Sequence, residues 1–157
     1  MKTKNLSKAF VILCWVLCLT PFATAQEVNP DKILGTYLLE SIQTDDKGKV
    51  LVTKADDGTY QGRLIWISNP TNPDGSIRCD EKNADKKLRS RRYDEIIMFH
   101  SLTFKKGEWV NGKLYDPFSG KMVSIKFKLD KNGSDLVARY YKGVPTLGIT
   151  RTWKRVK

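Results

Sequence analysis

The chain has 157 residues, a formal net charge of +11, 40% apolar and 29% charged residues, and one histidine. That length fits one domain with room for a real core. A single histidine excludes a multi-histidine metal site.

The first 25 residues read as an export signal. Lys2, Lys4 and Lys8 form a positive start, Ala9 to Ala23 an uncharged apolar stretch, and Ala23-Thr24-Ala25 a small-x-small cleavage site. The stretch is short and wrongly flanked for a membrane span, and no later segment approaches the roughly 20 apolar residues one requires. Cys14 and Cys18 each follow a leucine, which excludes a lipoprotein site. The expectation is a signal peptide over 1–25 and one domain over 26–157, starting at Gln26 in a periplasm or outside the cell. Without the three leader lysines the formal charge is +8. A basic balance allows nucleic acid, an anionic envelope polymer or lipid, or an acidic ligand as partner. Export disfavours nucleic acid. Cys79 is the one cysteine left, so no internal disulfide forms. Its polar loop makes a covalent dimer through Cys79 an open alternative to an inert thiol.

Turn signals such as Asp56-Asp57-Gly58, Lys106-Gly107, Ser119-Gly120 and Asn132-Gly133 separate β-branched and aromatic runs over 33–40, 49–55, 59–68, 95–105, 108–116, 121–129, 135–142 and 147–156. About eight strands at hairpin spacing predict an all-β, antiparallel up-and-down barrel. In 122–129, Val123, Ile125, Phe127 and Leu129 alternate with Ser124, Lys126 and Lys128, so one face meets a core and the other water. Apolar residues on both faces of 58–68 and 96–99 predict strands covered on their second side. Asp80 is expected to cap one short helical segment from Glu81 to about Arg89, with Ala84 and Leu88 on its apolar side. This segment would lie across the barrel mouth.

Gly35-Thr36-Tyr37 on the first strand and Arg151-Thr152-Trp153 on the last resemble the ends of a lipocalin-like barrel, in which an arginine packs on the first strand's aromatic ring. Asp80-Glu81-Lys82-Asn83-Ala84-Asp85-Lys86-Lys87-Leu88-Arg89-Ser90-Arg91 is similar to a D-x-K-N-P-D-x-x-L-R-x-R pattern. Trp109 to Lys121, reading WVNGKLYDPFSGK, is similar to W-x-G-G-x-I-Y-D-P-x-x-G-K, and Leu147 to Val156 to an L-G-x-T-x-x-W-x-R-V ending. Together these resemble domain-of-unknown-function family 2147 over nearly all of 33–157. The resemblance implies a bacterial envelope location and a calycin-like barrel, and no activity. Ala84, Asp94-Glu95 and Val123 depart from the family's usual Pro, Gly and Tyr.

The candidate site joins Asp80, Asn83, Arg91, Asp116, Lys121 and Arg151 with the aromatic residues Trp109, Tyr115 and Trp153 at one barrel mouth. Acids, bases and an amide can satisfy one another by charge-assisted hydrogen bonds. Such a cluster either fastens the helical lid or touches a ligand. Asp116-Pro117-Phe118-Ser119-Gly120 also reads simply as a hairpin turn. No H-E-x-x-H, G-x-S-x-G or phosphate-binding glycine loop is present, so the reading leans away from an enzyme and calls for no cofactor or metal. The leading expectation is binding of a small apolar or amphipathic ligand in the barrel. The alternative is an interaction module that docks on an anionic polymer or partner protein through the basic run Lys82 to Arg92.

Overall fold

The computed structural model describes residues 28–41 and 46–156; the leader lies outside them. The described residues form a closed antiparallel barrel of eight strands in sequential order. These are β1 (Gly35–Glu40), β2 (Lys47–Lys54), β3 (Tyr60–Ile67), β4 (Ile97–Lys105), β5 (Glu108–Asp116), β6 (Lys121–Leu129), β7 (Leu136–Tyr141) and β8 (Ile149–Arg155). Every strand lies within one of the runs set off by turn signals, or within two residues of it. At the β4–β5 hairpin Lys106 and Gly107 both take positive φ, 51° and 81°, the backbone a two-residue turn needs to follow strand twist.

Apolar residues on both faces of β3 and β4 have a structural cause. Lys49 pairs with Trp66 while Val50 pairs with Leu64, so Ile65 is an extra residue that reverses the alternation. Leu64 and Ile67 are therefore both buried, and Trp66 turns outward under the Lys49 ammonium. On β4 a similar irregularity opposite Gly62 and Arg63 lets Met98 and Phe99 both enter the core. Bulges thus account for part of the two apolar faces, and the Tyr93–Glu95 turn of the following segment packs on β3 as well, as a strand covered on its second side requires.

The core is aromatic. Phe99, Phe127 and Trp153 pack with ring centroids 5.0 to 5.9 Å apart, each pair adding about 0.5–1.5 kcal/mol beyond area burial. Phe99 lies so close to β3 that a Cβ on Gly62 would fall 2.2 Å from its ring. One end of the barrel is plugged by the 3-10 turn Pro30–Ile33, capped by Asn29, with Ile33 fully buried. Trp109 donates its indole N–H to the Pro30 carbonyl there at 3.0 Å.

The 68–96 segment crosses toward the other end. The helical turn expected there forms only over Lys86–Leu88, which corrects the Asp80 cap and the longer span 81–89. The segment's regular parts are two 3-10 turns, Lys86–Leu88 and Tyr93–Glu95. Side-chain oxygens take the amides a helix would use: Asn83 Oδ1 accepts from Asp85 N–H and Asp85 Oδ1 from Lys87 N–H, both at 2.9 Å. Asp85, not Asp80, is the cap, and Ala84 and Leu88 are exposed.

Candidate functional site

Asp80 is fully buried and faces the end of β5. It accepts from the Tyr115 hydroxyl at 2.5 Å, and from the Asn83 amide and the Arg91 guanidinium at 2.7 Å each. Burial, then the bond to Asp80, raises the Tyr115 pKa well above the phenol range. Asp80, Asn83, Arg91 and Tyr115 therefore form one knot between the 68–96 segment and the barrel wall. Asp116 follows in the chain but belongs to its own turn, accepting from Phe118 N–H at 3.1 Å and the Ser119 hydroxyl at 2.5 Å. The turn docks on the long segment: Lys82 Nζ donates to the Phe118 carbonyl at 2.6 Å. Gly120, at φ +70°, passes so close that a Cβ would lie 2.2 Å from the Lys82 carbonyl oxygen.

Beside this knot the barrel opens into a cavity of about 360 Å³, within the size range of small-ligand sites. Its wall is largely apolar, with Leu39, Met98, Leu114, Val123 and Ile149 contributed by five different strands. Glu40, Asp116, Lys121 and Lys142 add charge, two acids against two bases. Tyr140 also lines the cavity, and its hydroxyl accepts from Trp153 Nε1 at 2.6 Å. Burial pushes the Tyr140 pKa well above its ordinary value, while the Trp153 bond opposes that rise.

The remaining candidates separate. Trp109 sits at the plugged end, Trp153 in the core beneath Tyr140, and Arg151 on exposed β8 away from the Asp80 knot. The ring of Tyr37 is covered by Arg155, 4.7 Å from its centroid, and not by Arg151. Four residues apart on one strand, the two arginines share a face, so alternation alone could not choose between them. Cys79 is half-buried, in an isolated bridge with Arg92. Its thiol donates to the Ile77 carbonyl at 3.6 Å. Sequence reasoning missed Leu39, Met98 and Tyr140 as cavity residues; the Leu136, Ala138, Tyr140 alternation is the signal that could have found the last. Among the described residues no group of three or more His, Cys, Asp or Glu is placed to hold a metal ion.

An up-and-down barrel of eight strands, plugged at one end by a short turn and open at the other over an apolar cavity, is a lipocalin-like barrel. The chain belongs to the DUF2147 family, described as uncharacterized protein conserved in bacteria, whose sequence model matches residues 35–155. It is similar in structure to protein HP1028 from the human pathogen Helicobacter pylori, described as belonging to the lipocalin family. The two share 25% identity with a TM-score of 0.65, over 79% of this chain and 82% of that one. No curated protein matches the chain.

Proposed function

We propose that this protein is an exported bacterial envelope protein that holds a small apolar or amphipathic molecule in the open end of its barrel. The observation that carries the reading is the cavity of about 360 Å³ walled by Leu39, Met98, Leu114, Val123 and Ile149. Apolar lining with a few polar groups is what a small-molecule site requires, and the lipocalin-like fold supports it. The test is titration with a hydrophobic fluorescent probe, beside native mass spectrometry of protein purified from its host. The expected result is saturable binding that changes little with salt, lost in Val123→Trp, which fills the cavity. Salt-independent binding that survives Val123→Trp would place the probe elsewhere and overturn the reading.

The docking alternative draws less support. In the run from Lys82 to Arg92, Lys82 bonds to the Phe118 carbonyl, Arg89 to the Asn83 carbonyl, Arg91 to Asp80 and Arg92 to Asp94. Most of its cations fasten the segment and are not held out for a polymer. The export part of the proposal rests on Ala23-Thr24-Ala25. Intact mass of envelope material is expected to show a chain starting at Gln26; a full-length cytoplasmic species as the dominant form would refute it.

A further inference from the structure

Charge is divided unevenly along this chain. Residues 26–96 carry 12 bases and 13 acids, whereas residues 97–157, which hold β4 to β8, carry 13 bases and 4 acids. Such an asymmetry marks a surface for an anionic partner when the cations share one face. The strand pairing puts four of them on one. Ile125 and Phe127 are buried, so Ser124, Lys126 and Lys128, which alternate with them on β6, point outward. The ladder sets Lys113 of β5 opposite Ser124, and Arg139 of β7 opposite Lys126. Lys113, Lys126, Lys128 and Arg139 thus stand together on the outer wall of three adjacent strands.

The four acids of this half do not cancel that charge. Glu108 pairs with Lys126 at 2.8 Å and is the one acid on this face among the described residues. Asp116 lines the cavity at the open end. In the β6–β7 turn Asp130 accepts from the N–H groups of Ser134 and Asp135, and Asp135 pairs with Lys154 at 2.7 Å. Lys113 Nζ meets the Ser124 hydroxyl at 3.4 Å. The wall is also shaped. The 3-10 turn Pro145–Leu147 folds back along β7, where Arg139 donates to the Pro145 and Thr146 carbonyls at 2.8 Å and to the Thr150 hydroxyl at 2.9 Å. A groove of about 350 Å³ lies between this turn and β6, lined by Lys126, Lys128, Val137, Arg139 and Thr150. Lys126 and Lys128 are two residues apart on one strand, about 7 Å, and Lys113, opposite Ser124, continues the file by a step of the same order. Cations in file suit a chain of repeated charges better than a single anion, because each contact after the first is intramolecular.

We propose that the outer wall of β5 to β7 docks a linear anionic polymer, laid along β6 through the groove with its charged groups on Lys113, Lys126, Lys128 and Arg139. The surface is separate from the cavity, so polymer on the wall and ligand in the barrel do not compete. It is also separate from the run Lys82 to Arg92, most of whose cations fasten their own segment.

The test is calorimetric titration of the exported chain with dextran sulfate, beside neutral dextran, inorganic sulfate and phosphatidylglycerol vesicles. Dextran sulfate is expected to bind saturably, with an affinity that falls steeply as salt rises. Inorganic sulfate should bind about a hundredfold more weakly, neutral dextran not at all, and the vesicles more weakly than the polymer because a flat surface does not enter the groove. Lys126→Gln combined with Lys128→Gln should weaken dextran sulfate about tenfold or more and lower the slope of log affinity against log salt by about one per lysine. Lys86→Gln combined with Lys87→Gln, which removes two exposed cations of the other basic run, should leave affinity and slope unchanged. Both double variants should melt with the parent, since the side chains changed lie at the surface. Val123→Trp should leave dextran sulfate bound. Equal losses in the two double variants would assign the binding to net charge and overturn the proposal. So would equal affinity for sulfate and polymer, or tighter binding of vesicles. Absence of dextran sulfate binding would overturn it and leave the cavity reading standing, which only the hydrophobic probe decides.

Discussion

A carboxylate with no exposure is the costliest residue in this molecule to leave unpaired, and Asp80 answers that with three donors within 2.7 Å. The arrangement is not fully satisfied, because Arg91 Nε is buried without a partner among the described residues. Asp80→Asn removes the charge that Arg91 faces and places an N–H₂ where a lone pair was needed. It should lower unfolding free energy by about 3 kcal/mol in urea denaturation. Tyr115→Phe, which deletes one donor, should cost about 1–2 kcal/mol. If Asp80→Asn left stability intact but weakened binding, Asp80 would be a ligand contact and not a fastener. Cys79 lies next to this knot but contributes only a weak sulfur bond to the Ile77 carbonyl. Cys79→Ser keeps a donor in place and should stay within about 1 kcal/mol of the parent. A larger loss in reducing buffer would mean that the thiol's packing matters more than its hydrogen bond.

At the scale of the element, the β1–β8 seam has only the ladder pairs Tyr37↔Arg155 and Leu38↔Lys154 and a bond from Val156 N–H to the Thr36 carbonyl, and one side chain reinforces it. Arg155 donates to the carbonyls of Leu34 at 2.8 Å, Lys32 at 2.5 Å and Ser134 at 3.1 Å, bonds the Tyr37 hydroxyl, and covers the Tyr37 ring. It ties the plug, the first strand, the β6–β7 turn and the last strand together. Arg155→Ala should cost about 3 kcal/mol, because it strips several acceptors and a cation–π contact at once. Arg155→Lys keeps charge without the planar fork and should recover only part of that. Thermal melts of both variants check this, and equal melting of Arg155→Ala and parent would show that the two ladder pairs suffice. The strands themselves were legible in the sequence, because glycine and aspartate turns punctuate them at short intervals. The bulges were not. Nothing in Leu64-Ile65-Trp66-Ile67 marks Ile65 as the extra residue, since only its pairing to β2 reveals it. In the 81–89 segment the helical turn is shorter than expected, because Asn83 and Asp85 take backbone amides locally while Asp80 folds inward onto Tyr115. In the candidate site, Asn83 and Arg91, close in sequence to Asp80, came together with it, and Tyr115 joined them from β5. Arg151 and Trp153 did not: on β8 the first bonds the Thr150 carbonyl and the second the Tyr140 hydroxyl, away from the knot.

At the scale of the whole molecule, the barrel buries phenols as well as hydrocarbon, which gives its stability an alkaline limit. Burial is the leading cause that pushes Tyr37 up to about 12 and also raises Tyr60, Tyr93, Tyr115 and Tyr140 above the ordinary phenol value. A folded-state pKa above the unfolded one means that the folded chain holds its proton longer. The stabilisation is fully present below the unfolded value of 10.0 and is lost as pH rises toward the folded values. The raised Lys154, bonded to Asp135, acts in the same direction at the alkaline end. The lowered carboxyls of Asp94 and Asp135, each bonded to a cation, act oppositely: their contribution is present above 3.8 and fades as pH falls below it. Stability should therefore form a plateau across neutral pH and fall between about pH 10 and pH 12. Urea midpoints across that window, read beside the ultraviolet absorbance of phenolate, separate titration from unfolding. Phenolate should appear together with loss of structure for the buried rings. Tyr37→Phe should flatten part of the alkaline slope, because a phenylalanine at that position has no proton to lose, even though the variant gives up the Arg155 bond and starts from lower stability. A slope unchanged in Tyr37→Phe would assign the alkaline limit to the other four phenols, and phenolate forming at ordinary pH in the still-folded barrel would show that burial does not restrain these rings.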